Sequence, residues 1–191
     1  MSLSDEFIRL ARAHAHRRKL KFKRGSYTGS DWCKLGSGYF GEVWEHSLYP
    51  GLVVKVSGRA GFGVSTSYMA DDYPAADSWQ VFAQYCHKHP HMHLPEIMHF
   101  ERINAAIAWA IMPKYRPHYQ REHEIQREHE IQRRRWQGWL NGDRDAPEWL
   151  WPIVGMAASL SLKVDLHSDN VMLDSADNLI MTDPFSGTTT Y

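Results

Sequence analysis

Hydrophobic and polar positions recur with different periods along the chain, and each change of period predicts a change of element. Behind Ser4, which can cap a helix, Phe7, Leu10 and Ala11 recur at helical spacing and predict an amphipathic helix over residues 4–16. From Ser26 to Val56 the pattern shifts to short strands and turns. Tyr39, Phe40, Val43 and Trp44 are strand formers, Tyr49-Pro50-Gly51 reads as a turn, and Leu52-Val53-Val54-Lys55-Val56 reads as a buried strand. Gly58 to Pro74 is rich in glycine and serine and predicts a mobile connection. Trp79, Phe82, Ala83 and Cys86 then share one face of a helix expected over 75–88, and strands follow around Ile97–Arg102 and Ala105–Met112. A later helix over 147–162 is opened by Pro147 and turns Trp149, Leu150, Ile153, Val154, Ala157 and Leu160 inward.

One stretch breaks the periodicity. Arg121-Glu122-His123-Glu124-Ile125-Gln126 is repeated at residues 127–132. Six residues turn a helix by about 600°, so Ile125 and Ile131 face different directions and build no common stripe. The expectation is a duplicated, solvent-facing helical insertion over 120–139, laced by Glu124 with Arg127 and by Glu130 with Arg133 or Arg134.

Composition narrows the class. The 191 residues fit one compact domain, and 43% hydrophobic with 23% charged residues permit a packed core. A formal net charge of zero argues against a nucleic-acid binder held by bulk charge, although the twelve histidines would make the chain cationic on mild acidification. Arg17, Arg18, Lys19, Lys21, Lys23 and Arg24 form a basic stretch, read as a solvated arm with docking to an acidic partner as the alternative. Cys33 and Cys86 are too few for a disulfide framework and imply free thiols in a reducing compartment. Residues 1–10 lack an apolar signal core and no apolar run reaches membrane-spanning length, so the expected location is cytoplasmic, without a membrane partner.

Three signals carry chemistry. Leu35-Gly36-Ser37-Gly38-Tyr39-Phe40-Gly41-Glu42-Val43 places three glycines between two predicted strands, where backbone amides can approach phosphate oxygens with no Cβ in the way. Fourteen residues past Gly41, Lys55 sits inside an apolar strand, where its ammonium calls for an anion such as a nucleotide phosphate. Val164-Asp165-Leu166-His167-Ser168-Asp169-Asn170-Val171 then sets an aspartate five residues before an asparagine, and Asp183 follows a strand thirteen residues beyond Asn170.

In this order the signals resemble the protein-kinase-like superfamily, from about Ser26 to Phe185. His167, where eukaryotic protein kinases have lysine, is similar to the aminoglycoside and choline phosphotransferase branch. A closer likeness is to the early serine/threonine protein kinases of lytic Autographiviridae-type phages, carried by the glycine-rich loop and lysine strand with Asp165, His167, Ser168, Asn170, Thr182, Asp183 and Pro184. The resemblance implies an α+β, minimal bilobal fold: an antiparallel N-lobe over 1–112 and a short, mainly helical C-lobe over 113–191. It implies ATP and Mg²⁺ as ligands, with Asp165 as proton acceptor and Lys55 on the phosphates. Asn170 and Asp183 would hold the metal, and Gly36, Ser37, Gly38, Tyr39, Phe40, Gly41, Val43, Lys55 and Met112 the nucleotide. Such kinases imply host transcription or RNA-processing proteins as substrates, and the host cytoplasm as location.

Two departures from the family pattern shape the expectations. No glutamate stands on the 75–88 helix to pair with Lys55, which leaves Asp77 or Asp72 as the nearest acid. The sequence given ends eight residues past Asp183, so acceptor recognition is expected to use the 120–139 helix or a partner chain. Ser186, Thr188, Thr189 and Thr190 form a flexible tail expected to be the nearest acceptor hydroxyls. The alternatives are a pseudokinase that binds nucleotide and grips a host protein, and a small-molecule kinase. His87, His89, His91 and His93 alternate and could hold Zn²⁺, but Pro90 and Pro95 favour a polar connection between helix and strand.

Overall fold

The computed structural model of the chain describes residues 3–21, 31–38, 41–57, 78–104, 107–117 and 123–188. Its centre is a five-stranded antiparallel sheet in the order β1 (Trp32–Gly38), β2 (Gly41–His46), β3 (Leu52–Ser57), β5 (Ala108–Pro113), β4 (His99–Arg102). The turn into β3 uses Gly51 at φ 87°, a left-handed conformation that glycine adopts without steric cost. β3 lies centrally and is covered on both faces, which explains why its residues are apolar on both sides, with Lys55 the one charge among them. Leu52, Val54 and Val56 pack with Trp109 and Ile111 against Phe7, Ala11 and Ala15 of α1 (Asp5–Lys21). Val53, Ala110 and Met112 face the opposite way, onto Trp79, Phe82, Ala83 and Cys86 of α2 (Ser78–Lys88). Full burial of a side chain such as Phe7 is worth about 1.5–3 kcal/mol, and an Arg12–Glu101 ion pair of 2.7 Å ties α1 to β4.

Beyond β5 come β6 (Arg116–Pro117), α3 (His123–Leu140), a 3-10 turn Glu148–Leu150 and α4 (Trp151–Ser159). They are followed by β7 (Leu162–Val164), a second 3-10 turn Ser168–Asn170, β8 (Val171–Leu173), β9 (Leu179–Met181) and β10 (Phe185–Thr188). β6, β8 and β9 form a small antiparallel sheet, and β7 pairs with β10. The chain is therefore α+β, with four α-helices among the described residues.

Several boundaries differ from the sequence reading. α1 continues to Lys21, so Arg17, Arg18, Lys19 and Lys21 lie on the helix itself; Lys23 and Arg24 lie outside the described residues. The helix expected over 147–162 divides into a 3-10 turn and α4, and it stops at Ser159 because β7 begins at Leu162. α3 is not wholly solvent-facing. Ile131 is exposed, but Trp136 and Leu140, one turn apart and beyond the repeat, are buried in the main core with Leu150 and Ile153. The supposed tail is also ordered at its start: Ser186 pairs with Lys163 and Thr188 with Leu162 across β10 and β7. Thr189 and Thr190 lie outside the described residues, as do the glycine- and serine-rich connection with Asp72 and Asp77, and Tyr39 and Phe40. No described helix is long and apolar enough to cross a membrane.

Candidate active site

Strand register lines up the first part of the site. Gly36 is opposite Val43, Val43 opposite Lys55, Lys55 opposite Ala110, and Ala110 opposite Phe100. Directly opposed residues share a face, so Gly36, Val43 and Lys55 all lie on the α2 side of the sheet. The register of β1 shifts between Lys34 and Gly36, a bulge that resets which residues face this side. The glycines have different structural reasons. At Gly41 a Cβ would fall 2.5 Å from the Val56 carbonyl oxygen, so β2 and β3 can approach only with glycine there. At Gly36 a Cβ would meet no atom of the described residues within 4 Å. Packing does not demand that glycine, whereas a ligand lying over the strand would.

Lys55 is the only residue of β3 that is not buried outright. Its ammonium lies 2.8 Å from Asp183 Oδ2, with the two side chains 15% and 17% exposed, and 4.5 Å from the centre of the Trp79 ring. Among the described residues the acid paired with Lys55 is Asp183; Asp72 and Asp77, the acids expected from the sequence, lie outside them. Asp183 Oδ1 is buried with no hydrogen-bond partner among the described residues.

Backbone and amide bonds join the other polar residues to this pair. Asn170 Nδ2 donates to the Asp165 carbonyl at 2.6 Å, closing the loop between them. The Thr182 hydroxyl and backbone amide both donate to the Asn170 carbonyl, at 3.0 and 2.8 Å, with the Asp183 amide at 3.4 Å from the same oxygen. The Asp165 amide donates to the Pro184 carbonyl at 2.8 Å. Asp165, Asn170 and Asp183 are therefore held as one unit, and Lys55 reaches into it from the sheet. Met112, opposite Val53 and two positions along β3 from Lys55, is buried in the same core.

Two supporting residues escaped the sequence reading. Arg133 of α3 donates to the Leu166 carbonyl, next to Asp165, while Glu130 at 2.7 Å and Gln137 at 3.3 Å hold its guanidinium. The expected Glu130 pairs with Arg133 and Arg134 are both present, but the reach of Arg133 to the loop has no signature in spacing. Ser78, at the start of α2, donates to the Phe185 carbonyl at 3.2 Å, and Phe82 meets the Phe185 ring edge-on at 6.1 Å. α2 is thereby fixed to the segment that carries Asp183.

The four alternating histidines take separate partners, although the His91 and His93 rings lie 5.7 Å apart beside Trp149. His87 Nδ1 bonds the Ile97 carbonyl at 2.7 Å, and His93 Nδ1 bonds the Leu179 carbonyl at 3.0 Å. His89 stacks on Tyr85 and His91 on Trp149. They brace the connection between α2, β4 and β9, and no group of three or more metal-ligating His, Cys, Asp or Glu residues occurs among the described residues. Burial pushes the Cys86 thiol well above its ordinary range, so it stays protonated. No protein-family model matches the chain, and no curated protein matches it at a significant level.

Proposed function

We propose that the chain is an ATP-dependent phosphotransferase with a minimal kinase-like fold, transferring phosphate to serine or threonine hydroxyls of proteins. The observation that carries this reading is the Lys55–Asp183 pair at 2.8 Å, set against a loop in which Asn170 is bonded to Asp165. Lys55 meets Asp183 from 128 positions away in the sequence, and backbone hydrogen bonds tie the Asp183 segment to the loop that carries Asp165 and Asn170. A purely structural ion pair has no need of Asp165 or Asn170 beside it.

The donor set suits Mg²⁺, which takes one or two carboxylates and completes its shell with water and substrate phosphates. Asp183 Oδ1 is buried and has no hydrogen-bond partner among the described residues, and Asn170 offers an amide oxygen while its nitrogen is engaged by the Asp165 carbonyl. These two residues would hold the metal, which when bound neutralises phosphate charge. Lys55 supplies a fixed cation for phosphate oxygens, and the open face at Gly36 leaves room for them. Asp165 takes the proton of the acceptor hydroxyl as its oxygen bonds to phosphorus and the bond to the departing diphosphate breaks. Arg133, through the Leu166 carbonyl, keeps Asp165 in place.

The test is to incubate purified protein with γ-labelled ATP, Mg²⁺ and a bacterial lysate, beside an Asp165→Asn control. Labelled protein bands that depend on Asp165 are expected. No transfer by the parent, under conditions where it binds nucleotide, would overturn the reading in favour of a nucleotide-binding scaffold.

A further inference from the structure

We propose that Trp79 is the positioning residue for Lys55, its indole face holding the ammonium where phosphate oxygens are received. The inference rests on the phosphotransferase reading and deepens it at one residue. β3 alternates its side chains between two buried faces, so the position of Lys55 two residues after Val53 turns its stem toward α2. An ammonium at 15% exposure in that layer needs compensation. Asp183 gives one contact at 2.8 Å, and the other is the Trp79 ring at 4.5 Å, within the distance at which an indole face attracts a cation.

The chemistry of that second contact differs from that of a carboxylate. A carboxylate would accept hydrogen bonds from the ammonium and offset its charge. An indole face attracts the cation through its ring quadrupole and takes at most a weak N–H···π contact, not a charge-assisted hydrogen bond. Among the described residues Asp183 is the one hydrogen-bond acceptor of the ammonium, which leaves N–H groups for phosphate oxygens. Trp79 is itself held rigidly: it is 1% exposed and lies next to Ser78, whose hydroxyl is bonded to the Phe185 carbonyl. The same short turn of α2 thus fixes the lysine and anchors the segment that carries Asp183.

Two readouts test the proposal. In the first, the protein without nucleotide is treated with limiting acetic anhydride at one pH. Acetylation of Lys55 is quantified by mass spectrometry against Lys114, which is paired to Glu45 at 2.9 Å away from the site. Trp79→Leu is expected to raise Lys55 labelling relative to Lys114 by about 2- to 30-fold, the range of a cation–π contact, and Trp79→Phe by less. In the second, Trp79→Leu should raise the KM for ATP more than it lowers kcat, Trp79→Phe should recover most of the loss, and neither should change ATP binding further in a Lys55→Met background. If Trp79→Leu fails to fold, fluorinated tryptophans, which weaken the negative ring face at constant shape, should raise Lys55 labelling stepwise. Unchanged labelling and KM in the folded variants, or an equal loss in the Lys55→Met background, would overturn the proposal. A parent protein without phosphate transfer would sink the phosphotransferase reading alone, because the labelling readout still decides the Trp79–Lys55 contact.

Discussion

Charge can sit at Lys55 because it is shared among three kinds of group: the Asp183 carboxylate, the Trp79 ring and a margin of solvent. Lys55→Ala removes a preorganised cation and is expected to slow transfer about 10²–10³-fold. Asp165→Asn keeps the shape of the loop but removes the proton acceptor, a loss of roughly 10²–10⁴-fold. Asp183→Asn should weaken Mg²⁺-dependent nucleotide binding as well as turnover. Steady-state kinetics on all three decide the matter, and parent-like rates throughout would mean that the site is misplaced. The glycines offer a sharper separation. Gly41→Ala drives a methyl into the Val56 carbonyl and should cost on the order of 1–3 kcal/mol in urea unfolding. Gly36→Ala meets nothing among the described residues, so its stability should stay within about 0.5 kcal/mol of the parent while its KM for ATP rises. At this scale the polar residues were legible, because a lysine in an apolar strand and an aspartate five residues before an asparagine are unusual enough to stand out. Trp79 was not, because an aromatic at helical spacing reads as core, and it is core; only the structure puts a cation over its face.

At the scale of elements, α3 departs furthest from its sequence pattern. The repeat ends at Gln132, and the residues that seat the helix, Trp136 and Leu140, follow it. Reading the repeat alone therefore predicted an exposed insertion, whereas the helix carries Arg133 to the Leu166 carbonyl. Deleting residues 127–132 leaves Glu124-Ile125-Gln126 directly before Arg133, the same order of residue types that Glu130-Ile131-Gln132 gives now. The acid three places before Arg133 is restored, so the expected change in melting temperature is small. Adding Glu124→Gln to that deletion should lower it clearly, and an unfolded single deletion would show that the helix start is core. The same pair sets a pH signature. Hydrogen bonding from Arg133, opposed by burial, pulls the Glu130 carboxyl from its ordinary 4.5 down to about 2. A carboxyl lowered in the folded state adds stability that is complete above about pH 4.5 and is lost as the pH falls toward 2. The gap in melting temperature between the parent and Glu130→Gln should therefore narrow across that window, and a gap that widens on acidification would contradict the pairing.

Of the two apolar clusters, one on each face of the five-stranded sheet, the larger runs from Val53 and Met112 through Trp136, Leu166 and Leu173 to Phe185. Its residues come from both sides of position 112, so heat or urea should produce one cooperative transition by near- and far-ultraviolet circular dichroism. The general architecture was legible from the changes of period, since strands and helices follow them in order. What periodicity could not reveal was which distant strands pair: β10 joins β7, turning Ser186 and Thr188 from a loose tail into a sheet edge. That pairing also lowers the case for autophosphorylation at these two hydroxyls, because a strand is not free to reach the site beside it. The acceptor is then better sought outside the chain, and surface chemistry favours a macromolecule. A small cationic acceptor calls for carboxylates gathered around Asp165. Among the described residues, Asp174 is engaged with the Ala176 and Asn178 amides, and Asp169 projects to solvent at 73% exposure. The outer face of α3 instead mixes Arg127, Glu128, Arg134 and Arg135, all exposed, and α1 exposes Arg9, Arg12 and Arg17. Docking by charge at such faces would be screened over about 10 Å at 0.1 M salt and about 3 Å at 1 M. Under the proposed function, transfer to lysate proteins should therefore fall steeply between low salt and 0.5 M, while ATP binding at the half-buried Lys55–Asp183 pair should change far less. Turnover of an aminoglycoside or choline that is indifferent to salt, with no labelled protein at low salt, would reverse the assignment of the acceptor.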